Sequence, residues 1–306
     1  MKTRAPQDWR ARKGPSLLIC LAAYVIAAAA AIGTARLLGD QHPLLAIAAA
    51  DLAGTASVFL FSLAFNNSSL YDPYWGVAPL VIVLFYFCRS FGTPSAKPGA
   101  LLRGGLVVFL IGAWGARLTL NWIRRWRGLG DEDWRYRSFR ESGGSWYWPV
   151  SFLGIHLLPT GIVYMGCLSL YPLFNGPPLS LTSLDGAAFV ITAGAILIET
   201  LADAQLRRFA SRPENRGKVL LKGLWRYSRH PNYFGEVLFW WGLFLFAAGT
   251  GPGAMWTVIG PTAMTILFVT ISIPMMERRL EKTREGYRDA TGRVSPLIPW
   301  VPPEQP

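Results

Sequence analysis

The sequence predicts an all-α, polytopic integral membrane bundle of seven or eight transmembrane helices. Three observations carry that prediction. Apolar residues make up 52% of the 306 residues. They gather into nearly uncharged runs at about 16–35, 44–65, 76–88, 101–120, 148–172, 186–202, 237–249 and 254–274. The basic residues lie mainly between those runs. A helix needs about 20 apolar residues to cross the hydrocarbon, and most of the runs approach that length. The short ones, 76–88 and 237–249, suit tilted, re-entrant or irregular spans, which leaves the count at seven or eight.

Residues 1–13 form a basic N-terminal segment, 14–300 a single membrane-embedded domain and 301–306 a tail. The first run follows basic residues as a signal peptide would, but its length and the absence of a small-x-small cleavage site favour a retained helix. The second run encloses Asp51, a carboxylate that hydrocarbon tolerates only if it faces the bundle or changes protonation. A polar island, Asn66-Asn67-Ser68-Ser69-Leu70-Tyr71-Asp72-Pro73-Tyr74-Trp75, separates the second run from the third. Asp72 ahead of Pro73 suits the start of a helix; alternatively, Asp72 or Tyr74 furnishes an acid facing a substrate that Asn66 and Asn67 orient. The stretch Asp131–Arg137 mixes charges with aromatics, as an amphipathic segment on a bilayer surface does. His156, alone in the fifth run, reads as a satisfied core histidine. Glu199 and Asp203 share a helical face near the end of the sixth run, with Arg207 one turn on. An Asp203–Arg207 pair at the membrane surface is the modest reading of that face.

The net charge of +12 would suggest nucleic acid in a soluble protein, but basic clusters placed between hydrophobic runs argue against it. Of 30 Lys and Arg, 25 fall before residue 14 or within 124–140, 207–229 and 278–293. By the positive-inside rule both termini and these loops face the cytoplasm. Cys20, Cys88 and Cys167 lack metal-like spacing and read as packing residues. Three scattered His make a metal site improbable. No Gly-rich phosphate loop follows a predicted strand, and no internal repeat is apparent.

The segment Arg226-Tyr227-Ser228-Arg229-His230-Pro231-Asn232-Tyr233-Phe234-Gly235-Glu236 sets cations and hydrogen-bonding groups between two apolar runs. A helix starting after Pro231 would aim its N–H groups and positive dipole end at an anion, and the neighbouring arginines add charge. Arg226 and Arg229 alone would suit headgroup anchors; Asn232, His230 and Glu236 are not needed for that job.

At this motif the chain resembles the membrane reductases of the steroid 5-alpha-reductase superfamily, above all a bacterial branch catalogued as a domain of unknown function. The polar island Asn66–Trp75 and the tail around Tyr287 and Pro299 are similar to that branch. The resemblance implies that Asn232, Tyr233 and Glu236 hold NADPH, with Tyr227, Arg229 and His230 beside them. Asp203 matches an Asp on the nicotinamide and ribose side, and Glu199 stands where vertebrate members carry Asn. Arg207, Arg208 and Lys222 belong to a basic link whose charge suits a diphosphate plus a ribose phosphate, favouring NADPH over NADH. In these enzymes a Glu and a Tyr polarise a substrate carbonyl; Asp72, Tyr71 and Tyr74 stand in for them here, with Asn121 as a further candidate.

The resulting expectation is an NADPH-dependent reductase of an activated C=C bond in a lipophilic, steroid-like or isoprenoid enone, with membrane lipids as its surroundings. Its main rival is an S-adenosylmethionine-dependent methyltransferase. Isoprenylcysteine carboxyl methyltransferases carry a similar Arg-His-Pro-x-Tyr-x-Gly and a tail resembling Glu277–Arg288. A third reading is a non-enzymatic transport or lipid-binding bundle.

Overall fold

A computed structural model describes residues 10, 12–91, 98–176 and 180–301. Among them the backbone is helical and turned, with no strand and a single isolated bridge between Ser228 and Ser295. Seven segments are long and apolar enough to cross a membrane: Lys13–Leu37, Pro43–Ala64, Ser68–Phe91, Pro98–Arg125, Trp134–Asn175, Ser183–Ala210 and Pro252–Thr283. The chain is therefore a multi-pass membrane protein. The short run 76–88 gains length from the polar island, whose 3-10 turn Ser68–Tyr71 leads into the third helix. Run 237–249 lies largely within the 18-residue helix Pro231–Ala248, outside those seven.

The chain forms two compact units, one taking residues up to Tyr86 and Ile111–Cys167, the other Phe87–Leu110 and Leu168 onward. The first holds α1 (Lys13–Leu37), α2 (Pro43–Ala64), most of α3 (Tyr74–Phe91), the end of α4 (Pro98–Arg125), α5 (Trp134–Gly143), α6 (Tyr147–Val150) and α7 (Leu158–Cys167). A π-helical stretch, Ser151–Leu157, joins α6 to α7. Cys20, Leu70, Trp122, Trp126 and Leu129 form one buried cluster. Where α3 meets α4, a Cβ on Gly115 would lie 2.4 Å from the Gly76 carbonyl oxygen, so only glycines permit that backbone contact.

The second unit holds the start of α4, α8 (Leu170–Asn175), α9 (Ser183–Ala210), α10 (Pro231–Ala248), α11 (Ile259–Leu267), α12 (Ile273–Thr283) and α13 (Tyr287–Thr291). Thr182 and Asp185 open α9 with a capping box. Asp185 also receives Arg103 through Nε at 2.6 Å and Nη2 at 2.8 Å, a two-pronged pair almost sealed from solvent. The α9–α10 seam centres this unit: Ala188, Thr192, Ala195, Glu199 and Ala202 recur at heptad-like spacing on the buried face of α9, and Gly235 and Gly242 of α10 press against it. Cys20 and Cys167 are buried as expected, but Cys88 is exposed, because the last turn of α3 faces it outward.

Candidate functional site

In the second unit Pro231 opens α10, where a residue without an N–H costs nothing, and the cap residue His230 lends the first turn no side-chain hydrogen bond. The helix thus presents its positive end beside Arg229. Across the seam, Glu199 packs against Gly235. Asn232 Nδ2 reaches Asp203 Oδ1 at 3.5 Å, and Asn232 Oδ1 is buried with no hydrogen-bond partner among the described residues. Glu236 is buried one turn on and accepts from Trp240 Nε1 at 3.0 Å.

Arg229 and His230 converge on Glu277 of α12. Arg229 Nη1 and His230 Nε2 lie 3.1 and 3.4 Å from the same Glu277 oxygen. The His230 ring stacks on Tyr233 at 5.1 Å, and Tyr233 meets Phe268, which opens a second π-helical stretch, Phe268–Ser272. Burial and the charge of Glu277 push the Tyr287 phenol up to about 12, so it remains a neutral hydroxyl. A cavity of about 70 Å³ is lined in part by Lys218, Trp225, Arg229, Arg284 and Tyr287.

Arg207, Arg208, Lys222 and Tyr227 are exposed. The cations that line the cavity are Arg229, which the motif marked, and exposed Lys218 and half-buried Arg284, which no spacing singled out. This donor set fits an anionic cofactor such as NADPH in charge, and Asn232 Oδ1 leaves an acceptor for it. The cavity itself encloses only a small part of such a molecule, being well below the roughly 300–1,000 Å³ of drug-sized ligand pockets.

The polar island of the first unit is largely a clamp. Asn66 adopts φ 54°, a left-handed conformation that Asn tolerates. Asn67 accepts from the Ser69 N–H at 2.8 Å and donates to the Leu129 and Asp131 carbonyls at 2.9 and 3.2 Å. These bonds, rather than substrate orientation, occupy its side chain. The Asp131–Arg137 stretch is tied to that island. Glu132 accepts from the Ser68 N–H at 2.8 Å and pairs with Arg140 at 3.0 Å, while Asp133 caps α5 through the Arg135 N–H.

The expected acids of this unit are all engaged. Asp72 accepts from Tyr136 at 2.6 Å and Tyr71 meets Thr160 at 2.8 Å, while at Asn121 it is the backbone carbonyl, not the side chain, that accepts from Arg125. Tyr74 pairs with Asp51, not with Asp72: its hydroxyl donates to Asp51 Oδ1 at 2.7 Å. Asp51 Oδ2 is buried with no hydrogen-bond partner among the described residues. The Tyr71 and Tyr74 rings stack at 5.2 Å, and Tyr71 also meets His156 at 4.8 Å. His156 is a fully buried core residue held between the Ser151 carbonyl and Ser62 Oγ. Two members of these clusters escaped the sequence-derived site. Asp51 showed only as a carboxylate in an apolar run, and Glu277 only as part of a similar tail.

These clusters define an all-helical, multi-pass membrane protein with a buried Tyr–Asp pair in one unit and a cationic, uncapped helix start in the other. The chain belongs to the family described as Protein of unknown function (DUF1295), which it matches over residues 58–294. An uncharacterized protein of Schizosaccharomyces pombe is 25% identical over 257 residues, covering 76% of this chain and 74% of that one. No solved structure matches the chain.

Proposed function

We propose that this protein is a membrane-bound, NADPH-dependent reductase of an activated C=C bond in a lipophilic enone, a member of the wider steroid 5-alpha-reductase superfamily. The observation that carries the reading is the meeting of Asn232, Asp203 and Glu199 across the α9–α10 seam at the uncapped start of α10. Asn232 and Asp203 would hold the polar face of the cofactor, with Arg229, Lys218 and Arg284 opposite its phosphates. NADPH, when bound, supplies the hydride.

Within the first unit, Tyr74 and Asp51 form a candidate acid. Tyr74 orients the carboxyl group through Oδ1, and a proton on Asp51 Oδ2 meets no competing acceptor among the described residues. A buried donor of that kind is most effective in a dry site. The bundle would sit with both termini in the cytoplasm, as the distribution of Lys and Arg supports, and in a bacterial inner membrane, as the resemblance to the bacterial branch implies.

The test is a titration of the purified protein with NADPH, NADH and S-adenosylmethionine. NADPH should bind more tightly than NADH, and Asn232→Ala should weaken it by about 1–3 kcal/mol by leaving a partner unsatisfied. Equal affinity for the two nucleotides would remove the argument from charge. One observation favours a second reading, a methyltransferase: Glu277 of the tail meets Arg229 and His230, with Tyr287 in the same cavity lining as Arg229, and a carboxylate there suits a sulfonium cation. Firm binding of S-adenosylmethionine without NADPH binding would select it.

A further inference from the structure

The segment Ser295–Val301 is sewn onto the Tyr227–His230 turn. The Arg229 N–H donates to the Ser295 carbonyl at 2.8 Å, and the Trp300 N–H donates to the Tyr227 carbonyl at 2.9 Å. Between them, fully buried Ser228 donates through Oγ to the Leu297 carbonyl at 2.7 Å and accepts the His230 N–H at 3.1 Å. Ser228 thus ties the tail to His230, the residue that precedes α10. The inward side chain, Leu297, is buried, whereas Ile298, Trp300 and Val301 are 65%, 69% and 71% exposed.

The backbone bond sets Trp300 beside exposed Tyr227, whose ring lies 6.0 Å from the Arg226 guanidinium, and Lys222 and Arg293, close in sequence, are also exposed. Trp and aliphatic groups beside cations suit the headgroup layer of a bilayer with anionic lipid. Attachment sets them beside the start of α10. The tail follows the end of the Pro252–Thr283 span, and the turn to which it bonds opens α10.

We propose that Ser295–Val301 is a membrane-facing clasp: its outer residues rest in the anionic headgroup layer, and its backbone holds the Tyr227–His230 turn at the start of α10. Ser228 is then a positioning residue whose hydroxyl links clasp to cap. The inference stands independently of which cofactor the site takes.

The test uses the full chain in phosphatidylglycerol-containing liposomes. A nitroxide at Val301→Cys, in a Cys88→Ser background, should collide more with oxygen than with a water-soluble nickel chelate. Amide exchange over residues 228–235 should accelerate roughly tenfold, the rate equivalent of one buried hydrogen bond, in Ser228→Ala and in the double variant Ile298→Ser, Trp300→Ser. Ser228→Thr, which keeps the hydroxyl, should restore slow exchange and show that the hydroxyl, not bulk folding, sets it. A label dominated by the nickel chelate, or exchange unchanged in either variant, overturns the proposal.

Discussion

Gly235 sits inside the motif, yet its clearest role is in packing, and Gly235→Ala isolates that role. An added Cβ would lie 2.4 Å from Glu199 Cγ, 2.9 Å from the Ala195 carbonyl oxygen and 3.2 Å from the Glu199 nitrogen. Two of these atoms are backbone in mid-helix, so rotation of a side chain cannot relieve them. With carbon contacts at about 3.5–4.0 Å, α10 must retreat from α9 by roughly an ångström. Overpacking of this kind costs about 1–3 kcal/mol, against a helix-propensity gain for Ala over Gly of about 1 kcal/mol. The control is Gly194→Ala on α9, where nothing lies within 4 Å of the new Cβ; it should show the gain alone. Thermal unfolding followed in one detergent should place the two variants on opposite sides of the natural protein. A Gly235→Ala protein at least as stable as Gly194→Ala would refute the close-contact account, and with it the seam that brings Glu199, Asp203 and Asn232 together.

Arg103→Ala should destabilise by about 3–5 kcal/mol, because it leaves Asp185 buried without its cation; Arg103→Lys should recover only part, since Lys lacks the two-pronged geometry, and denaturant unfolding separates the three proteins. Asn67→Ala should cost about 3 kcal/mol or more by removing three hydrogen bonds at once. The same unfolding assay checks it, and a loss below about 1 kcal/mol would show that the clamp contributes little. On a confirmed substrate, Asp51→Asn should slow turnover by about 10²–10³ while leaving NADPH affinity nearly intact, as loss of a transition-state donor does. Tyr74→Phe should act in the same direction, and full turnover in both variants would return the search to Asp72 and Asn121.

The membrane class was legible in the sequence because hydrocarbon imposes a length and a polarity that a chain cannot hide. Expensive residues were legible for the same reason: Asp51 inside a run and His230, Asn232 and Glu236 beside one all stood out. Glu199 and Asp203 could also be placed on one face, since helical period requires only counting. Partners could not be counted. Tyr74 is two residues from Asp72 yet bonds Asp51 on another helix, and Arg229 lies 48 positions before its partner Glu277. Such pairs depend on which faces of separate helices meet, and only packing decides that. Packing also divided the basic link: of the cations that composition could not tell apart, Arg207, Arg208 and Lys222 lie outside the cavity lining, whereas exposed Lys218 and half-buried Arg229 line it with Arg284. Charge alone attracts anions anywhere along such a link; a cavity exists only where helix ends and loops close around it.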